Sequence, residues 1–233
     1  MQIDVWLDIR CPNCYIGKTK FLIAFDKFEH KAETSVNWRS FELSPGLVAQ
    51  SGQSVYEYLA ELKGRSMDWS KQMHQQVADA AAELGLIYNF DKTVIANSFD
   101  AHRLLQFSKT KGLQNTVLEA LYQAYFTEGQ NVADHAALQK IGEMSGLPAD
   151  EVREVLASNA YAKEVRADES RAESVNITGV PFFLLNKVKG VSGGQSVESF
   201  LQNLHEGWVH YQRLIMDPND GMDDDSCSIY GFC

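Results

Sequence analysis

The chain has 233 residues, 45% of them hydrophobic and 22% charged, with a formal net charge of −10. That length supports one large domain or two modest ones with real cores. No apolar run approaches a bilayer span. The acidic balance argues against phosphate backbones and anionic membranes as partners, so neither a nucleic acid nor a membrane is expected.

The first element expected is a strand, since Ile3, Val5, Leu7 and Ile9 alternate with Asp4, Trp6 and Asp8. It begins too early for a secretory leader to precede it, so the expected location is the cytoplasm. Next comes Cys11-Pro12-Asn13-Cys14, followed by an amphipathic run from Tyr15 to Phe28 whose Phe21, Leu22, Phe25 and Phe28 recur at helical spacing. A CxxC between strand and helix suits thiol–disulfide exchange. Unpaired amides and the helix dipole favour a thiolate on the first Cys, and Pro12 fits the first turn, where its missing N–H costs nothing. Cys11 is therefore the expected nucleophile. Cys14 is the expected resolving thiol, shielded and nearer an ordinary pKa. Asn13 can offer only an amide donor, so the acidification expected is milder than a His there would give. A zinc-ligand pair or two core thiols are the plainer alternatives.

Ser35 to Phe41 reads as a second strand, parallel to the first across the helical crossover. From Gln53 to about Val175 the periodicity is helical throughout. Seven helices are marked by Val55/Leu59, Met73/Val77, Ala101/Leu105, Val117/Leu121/Tyr125, Leu138/Ile141, a start at Pro148, and Val165/Ala172. Asn97 is a plausible cap for the third and Asp134 for the fifth. The strand pattern then returns at Phe182 to Leu185, entered through Gly179-Val180-Pro181. Asn186-Lys187 makes a turn into Val188 to Ser192, and Ser196 caps a last helix carrying Phe200, Leu204 and Trp208. Beyond Met216 the chain reads as a flexible tail with five Asp, no Lys or Arg, and a second pair, Cys227 and Cys233.

A β-α-β unit, a helical block and a closing α-β-β-α make an α/β, thioredoxin-like fold with a large all-helical insertion. The expected parts are 1–50 with 163–215 as the thioredoxin-like domain, 51–162 as the insertion and 216–233 as the tail. Four segments sharpen this: Cys11-Pro12-Asn13-Cys14-Tyr15-Ile16-Gly17, Phe41-Glu42-Leu43, Asn97-Ser98-Phe99-Asp100-Ala101-His102-Arg103-Leu104, and Gly179-Val180-Pro181-Phe182-Phe183. Together they resemble the FrnE-like dithiol–disulfide isomerases of the DsbA-like branch of the thioredoxin superfamily, over roughly residues 1 to 212. The family commonly has an aromatic residue where this chain has Asn13, a departure that bears on redox potential.

The resemblance implies an oxidoreductase or isomerase acting on protein thiols and disulfides without an organic cofactor or metal. Glutathione or a thioredoxin-type protein would recycle it. It implies a cis proline at Pro181, with the Val180 backbone beside the sulfurs, and brings His102 and Asn97 toward the CxxC. Without it, His102 reads as a packing or surface residue. Asp8 is either a proton acceptor or a solvated strand-end carboxylate. Cys227 and Cys233, beside acidic groups, should be poor thiolates. They are either an internal reductant of the Cys11–Cys14 disulfide or incidental thiols, and all four Cys could make a Cys₄ zinc site. Two other functions remain in view. One is a glutathione-dependent isomerase or transferase of the kappa-like branch, which typically carries Ser at the nucleophile position. The other is a protein-binding holdase.

Overall fold

A computed structural model describes residues 1–49 and 52–216. Strand β1 (Gln2–Leu7) leads through a tight turn into α1 (Pro12–Lys27), and β2 (Ser35–Ser40) returns parallel to β1. Seven helices follow: α2 (Val55–Lys63), α3 (Met67–Ala82), α4 (Phe99–Thr110), α5 (Gln114–Tyr122), α6 (His135–Met144), α7 (Ala149–Ala157) and α8 (Ala162–Ser174). The chain closes with β3 (Phe182–Leu185), β4 (Lys189–Ser192) and α9 (Val197–Met216). The sheet runs β2-β1-β3-β4, with β3 antiparallel to both neighbours. This is a DsbA-like thioredoxin fold, in which α2 to α8 lie between β2 and β3 in sequence.

The apolar set of β1 behaves as its alternation demands. Ile3, Val5 and Leu7 enter the main core, where Phe21 of α1, Phe183 of β3 and Phe200 of α9 meet at centroid distances of 5.1, 5.7 and 4.7 Å. Edge and tilted aromatic contacts of this kind add to the area term. The opposite face of β1 is buried as well, because α8 crosses it. Trp6 Nε1 donates to Asp168 O at 2.9 Å, and Trp6 packs with Ala172, Ile177 and Leu184. Polar residues on this face are consequently paired. Asp168 accepts from Arg39 Nη1 (2.9 Å), Ser40 N (3.0 Å) and Gln106 Nε2 (2.7 Å), while Asp4 pairs with Arg39 and Arg171.

Local signals set most element ends. Asp134 accepts from Ala137 N, and Ser196 Oγ accepts from Ser199 N, as capping chemistry requires. Asn186 and Lys187 both take positive φ in the turn between β3 and β4. One expected helix differs: α5 stops at Tyr122 and continues as a π-turn over Gln123–Thr127, which turns Tyr125 and Phe126 inward. Such single π-turns recur at functional sites.

Candidate active site

The buried end of β1 fixes everything that follows. Cys11 N donates to Asp8 O at 3.1 Å, and Cys11 then serves as N-cap of α1, with extended φ/ψ and Pro12 in the first turn. Cys14 is fully enclosed and Cys11 almost so; both thiols are free. The Cys11 thiol donates to Val180 O at 3.7 Å, and the Val180–Pro181 peptide is cis. Burial, and then the neighbouring Cys11 sulfur, push the Cys14 thiol well above its ordinary value. The near-ordinary value expected from the sequence therefore does not hold. Complete enclosure removes the water that would solvate the thiolate.

Close backbone packing joins the two halves of the site. Gly17 lies on α1 beneath the proline loop. A Cβ there would stand 2.9 Å from Pro181 Cγ and 3.3 Å from Gly194 Cα, inside ordinary contact. Only glycine lets helix, proline loop and the Gly193-Gly194 turn approach so nearly. Pro181 O accepts from Gly193 N at 2.8 Å, which ties that turn to the loop.

On its outer side the CxxC turn meets the helical block. Tyr88 donates its hydroxyl to Pro12 O at 2.7 Å, and Asn13 is exposed at the mouth. The Tyr15 ring stacks on Tyr122 at 4.6 Å, and its hydroxyl donates to Glu119. Glu119 also binds Lys18 Nζ at 2.7 Å, although Lys18 is only 2% exposed. Burial pushes the Tyr88 and Tyr122 phenols up, and the two cysteine sulfurs add to this. Both stay neutral donors.

Beneath the turn, Asp8 is wholly enclosed, not a solvated carboxylate: strand β1 and the Phe41-Glu42-Leu43 segment close over it. Its Oδ1 accepts from Arg10 N (3.1 Å) and its Oδ2 from Leu43 N (2.8 Å). His102 Nε2 stands 3.5 Å from Oδ1, its ring also fully buried and neither nitrogen hydrogen-bonded. Burial raises the Asp8 pKa, but His102 and these two amides outweigh it and hold the carboxyl below its usual range. Cys11 N is held by Asp8 O, and after burial and the Cys11 sulfur the Asp8 charge also opposes ionisation of Cys14, so the Asp8–His102 pair lies within electrostatic reach of the CxxC.

Asn97 does local work, accepting from Phe99 N at 2.8 Å where α4 begins. Cys227 and Cys233 lie outside the described residues. Tyr88 and Glu119 carry no local signal because their roles are purely tertiary; Tyr122 reads in the sequence only as a helix-core position, Gly194 only as part of a strand-ending Gly-Gly, and Tyr15 and Gly17 sit in a quoted motif without a role. Among the described residues no group of three or more His, Cys, Asp or Glu is placed to hold a metal, and no helix is long and apolar enough to cross a membrane.

Comparison with known proteins agrees with this geometry. The family model described as a DSBA-like thioredoxin domain matches residues 2–205. The crystal structure of the probable DsbA oxidoreductase SCO1869 from Streptomyces coelicolor is 39% identical, covers 90% of each chain and superposes with a TM-score of 0.85. YwbO of Bacillus subtilis is 27% identical over 209 residues, 87% of this chain and 96% of its own. The cytosolic disulfide reductase DsbM from Pseudomonas aeruginosa, solved with glutathione, shares the fold at 14% identity and a TM-score of 0.59, covering 93% of this chain and all of its own. The chain belongs to the DSBA-like thioredoxin domain family.

Proposed function

We propose that the protein is a thiol–disulfide oxidoreductase and isomerase of FrnE-like type that acts on protein disulfides through Cys11 and Cys14. The observation that carries this reading is the meeting of the Cys11 sulfur, the Cys14 sulfur and the Val180 carbonyl before a cis proline. Cys11, as thiolate, attacks one sulfur of the substrate disulfide; a mixed disulfide forms and the first substrate thiolate leaves. Cys14 then gives up its proton and attacks the Cys11 sulfur, releasing the second thiolate and leaving an enzyme disulfide. Isomerisation uses the first step and lets a substrate thiol displace Cys11.

Pro12 and Asn13 frame the mouth, and the Val180 backbone pairs with the substrate strand. Asp8 and His102 accept the proton that Cys14 releases, a role supported by the burial of the pair at the foot of the CxxC turn, where Asp8 O accepts from Cys11 N. Asn97 serves only by starting the helix that carries His102. We divide the chain as 1–50 with 163–215 around the sheet and 51–162 as the insertion; the packing of α8 on the sheet through Trp6 and Asp168 supports the second boundary. In the reducing cytoplasm, where we place the reaction, reduction or isomerisation is the net direction. Glutathione or a thioredoxin-type dithiol supplies the electrons, and the DsbM structure with glutathione is a parallel for the former.

Insulin reduction tests the reaction, and trapping tests the roles. Cys11→Ser should abolish turnover. Cys14→Ala should leave Cys11 covalently joined to substrates in cells, visible on non-reducing gels. Asp8→Asn and His102→Gln should prolong the mixed disulfide while leaving its formation unchanged. Full insulin reduction by Cys11→Ser would end the assignment.

A further inference from the structure

Four arginines are withdrawn from full exposure: Arg10, Arg39, Arg103 and Arg171. Three are matched by carboxylates, Arg39 by Asp4 and Asp168, Arg103 by Asp100, and Arg171 by Asp4. Arg10 has no carboxylate within 4.0 Å among the described residues. Its guanidinium carbon lies 5.6 Å from the centre of the Tyr58 ring, and Tyr125, Asp8 and Tyr58 are the ionisable groups that face it. Asp8 is beyond ion-pair reach, its oxygens accepting from the Arg10 and Leu43 amides and facing His102. Arg10 Nε is enclosed without a partner.

Burial works against the Arg10 cation, but Tyr125, Asp8 and Tyr58 more than offset it, so the guanidinium stays charged beside Cys11 while its Nε has no partner. Arg10 immediately precedes Cys11, remains partly exposed, and lies over the Tyr58 ring, with the Tyr125 phenol also facing it. Tyr58 is fixed by Ser44 Oγ at 3.1 Å, and Tyr125 belongs to the π-turn of Gln123–Thr127. A planar cation presented this way fits a carboxylate through paired N–H donors.

We propose that Arg10, framed by Tyr58 and Tyr125, is a docking subsite for a carboxylate that the disulfide substrate carries close to its reacting sulfur. This rests on the proposed chemistry of Cys11 and Cys14. The protein's net charge of −10 repels anions at long range. Acceptance of acidic substrates therefore depends on this local cation.

The test uses reduced full-length protein and three small disulfides: dithiodiglycolate (anionic), 2-hydroxyethyl disulfide (neutral) and cystamine (cationic). Oxidation of the Cys11–Cys14 peptide is followed by mass spectrometry, with each rate normalised to that of dithiothreitol. Arg10→Gln should slow dithiodiglycolate about tenfold, leave hydroxyethyl disulfide unchanged and speed cystamine. Arg10→Lys should retain part of the preference. Added salt should lower the ratio of the wild-type to the Arg10→Gln rate on dithiodiglycolate, since both proteins share the long-range repulsion. Equal slowing of all three probes in Arg10→Gln would overturn the proposal, since Arg10 would then serve the sulfur rather than the substrate. So would a wild-type to Arg10→Gln rate ratio on dithiodiglycolate that does not fall with salt. If no probe oxidises the wild type, the parent chemistry fails and the subsite with it, a pattern distinct from both. Glutathione disulfide against its ester, and a Glu-flanked peptide disulfide against its Gln-flanked counterpart, separate a small thiol from a protein segment. The pair whose preference vanishes in Arg10→Gln names the source, and persistence of both preferences overturns the subsite.

Discussion

Gly17→Ala sets two opposed effects on one atom. Gly17 is interior to α1, where replacing glycine by alanine ordinarily stabilises a helix by about 0.8–1 kcal/mol. The new Cβ, however, stands 2.9 Å from Pro181 Cγ and 3.3 Å from Gly194 Cα, a proline ring and a backbone carbon. Neither can swing aside as a flexible side-chain tip would. Overpacking of this kind costs about 1–3 kcal/mol, so the net expectation is a loss of about 0–2 kcal/mol. The larger effect is on catalysis. Restoring 3.4 Å to the ring requires the proline loop and α1 to part by about half an ångström, and displacements near 1 Å cost about a hundredfold, so about tenfold is expected here. The opening falls directly on the contact between Cys11 and Val180 O. Insulin reduction measured alongside a urea midpoint separates the two effects: activity should fall about tenfold while the midpoint shifts little. A Gly17→Ala protein with full kcat/KM and greater stability would refute the claim that this close approach holds the site together.

Removing the acceptor of the α8 anchor, Asp168→Ala, leaves Arg39, Ser40 N and Gln106 without their shared partner. It should lower unfolding free energy by about 3–5 kcal/mol in urea titration. Glu119→Ala strands the buried Lys18 and should cost about 3 kcal/mol. Burial already lowers the Lys18 pKa against the pull of Glu119, so adding Lys18→Met should recover most of that loss. Stability of the reduced protein should fall as pH rises above about 8.5, where an unfolded thiol ionises. Cys14 is raised in the folded state, so there the unfolded chain binds fewer protons than the native one, and the slope is negative. Cys14→Ser should flatten the urea midpoint between about pH 8 and 9, below the onset of tyrosine ionisation.

The elements that the sequence makes legible are those whose signal is local. The CxxC turn, the two parallel strands, the Asn186-Lys187 turn and the caps at Asp134 and Ser196 all follow from neighbours within a few residues. Strand β1 shows the limit. Its alternation identifies the face bearing Ile3, Val5 and Leu7, but Asp4, Trp6 and Asp8 look solvated until α8 and the Leu43 segment are known to cover them. Burial of polar residues depends on partners more than thirty residues away, such as Arg39, His102 and Arg171, and no window of sequence contains that information. Tyr88 is hidden for the same reason: nothing near it in the chain distinguishes a core phenol from the donor on Pro12 O. Even Cys14, placed correctly as the shielded thiol, has its ionisation set by complete enclosure rather than by its helix position.

The site distributes charge so that its two sulfurs face different surroundings. Below Cys14 lies Asp8, an anion held in place by two amides and facing His102, within a fully enclosed pocket. Negative charge there opposes a thiolate on Cys14 and favours its proton until the chemistry calls for it. Around Cys11 the groups are the cap of α1, the Val180 carbonyl and, one residue back, the guanidinium of Arg10. The Tyr15–Tyr122 stack and the Glu119–Lys18 pair brace the helix that separates these environments. The proposed exchange chemistry needs this asymmetry, because two equally ionised thiols would compete for the substrate and neither would be left to resolve it. Exchanging the sequence at the motif alone would not transplant the difference; Asp8, His102 and Arg10 would have to travel with it.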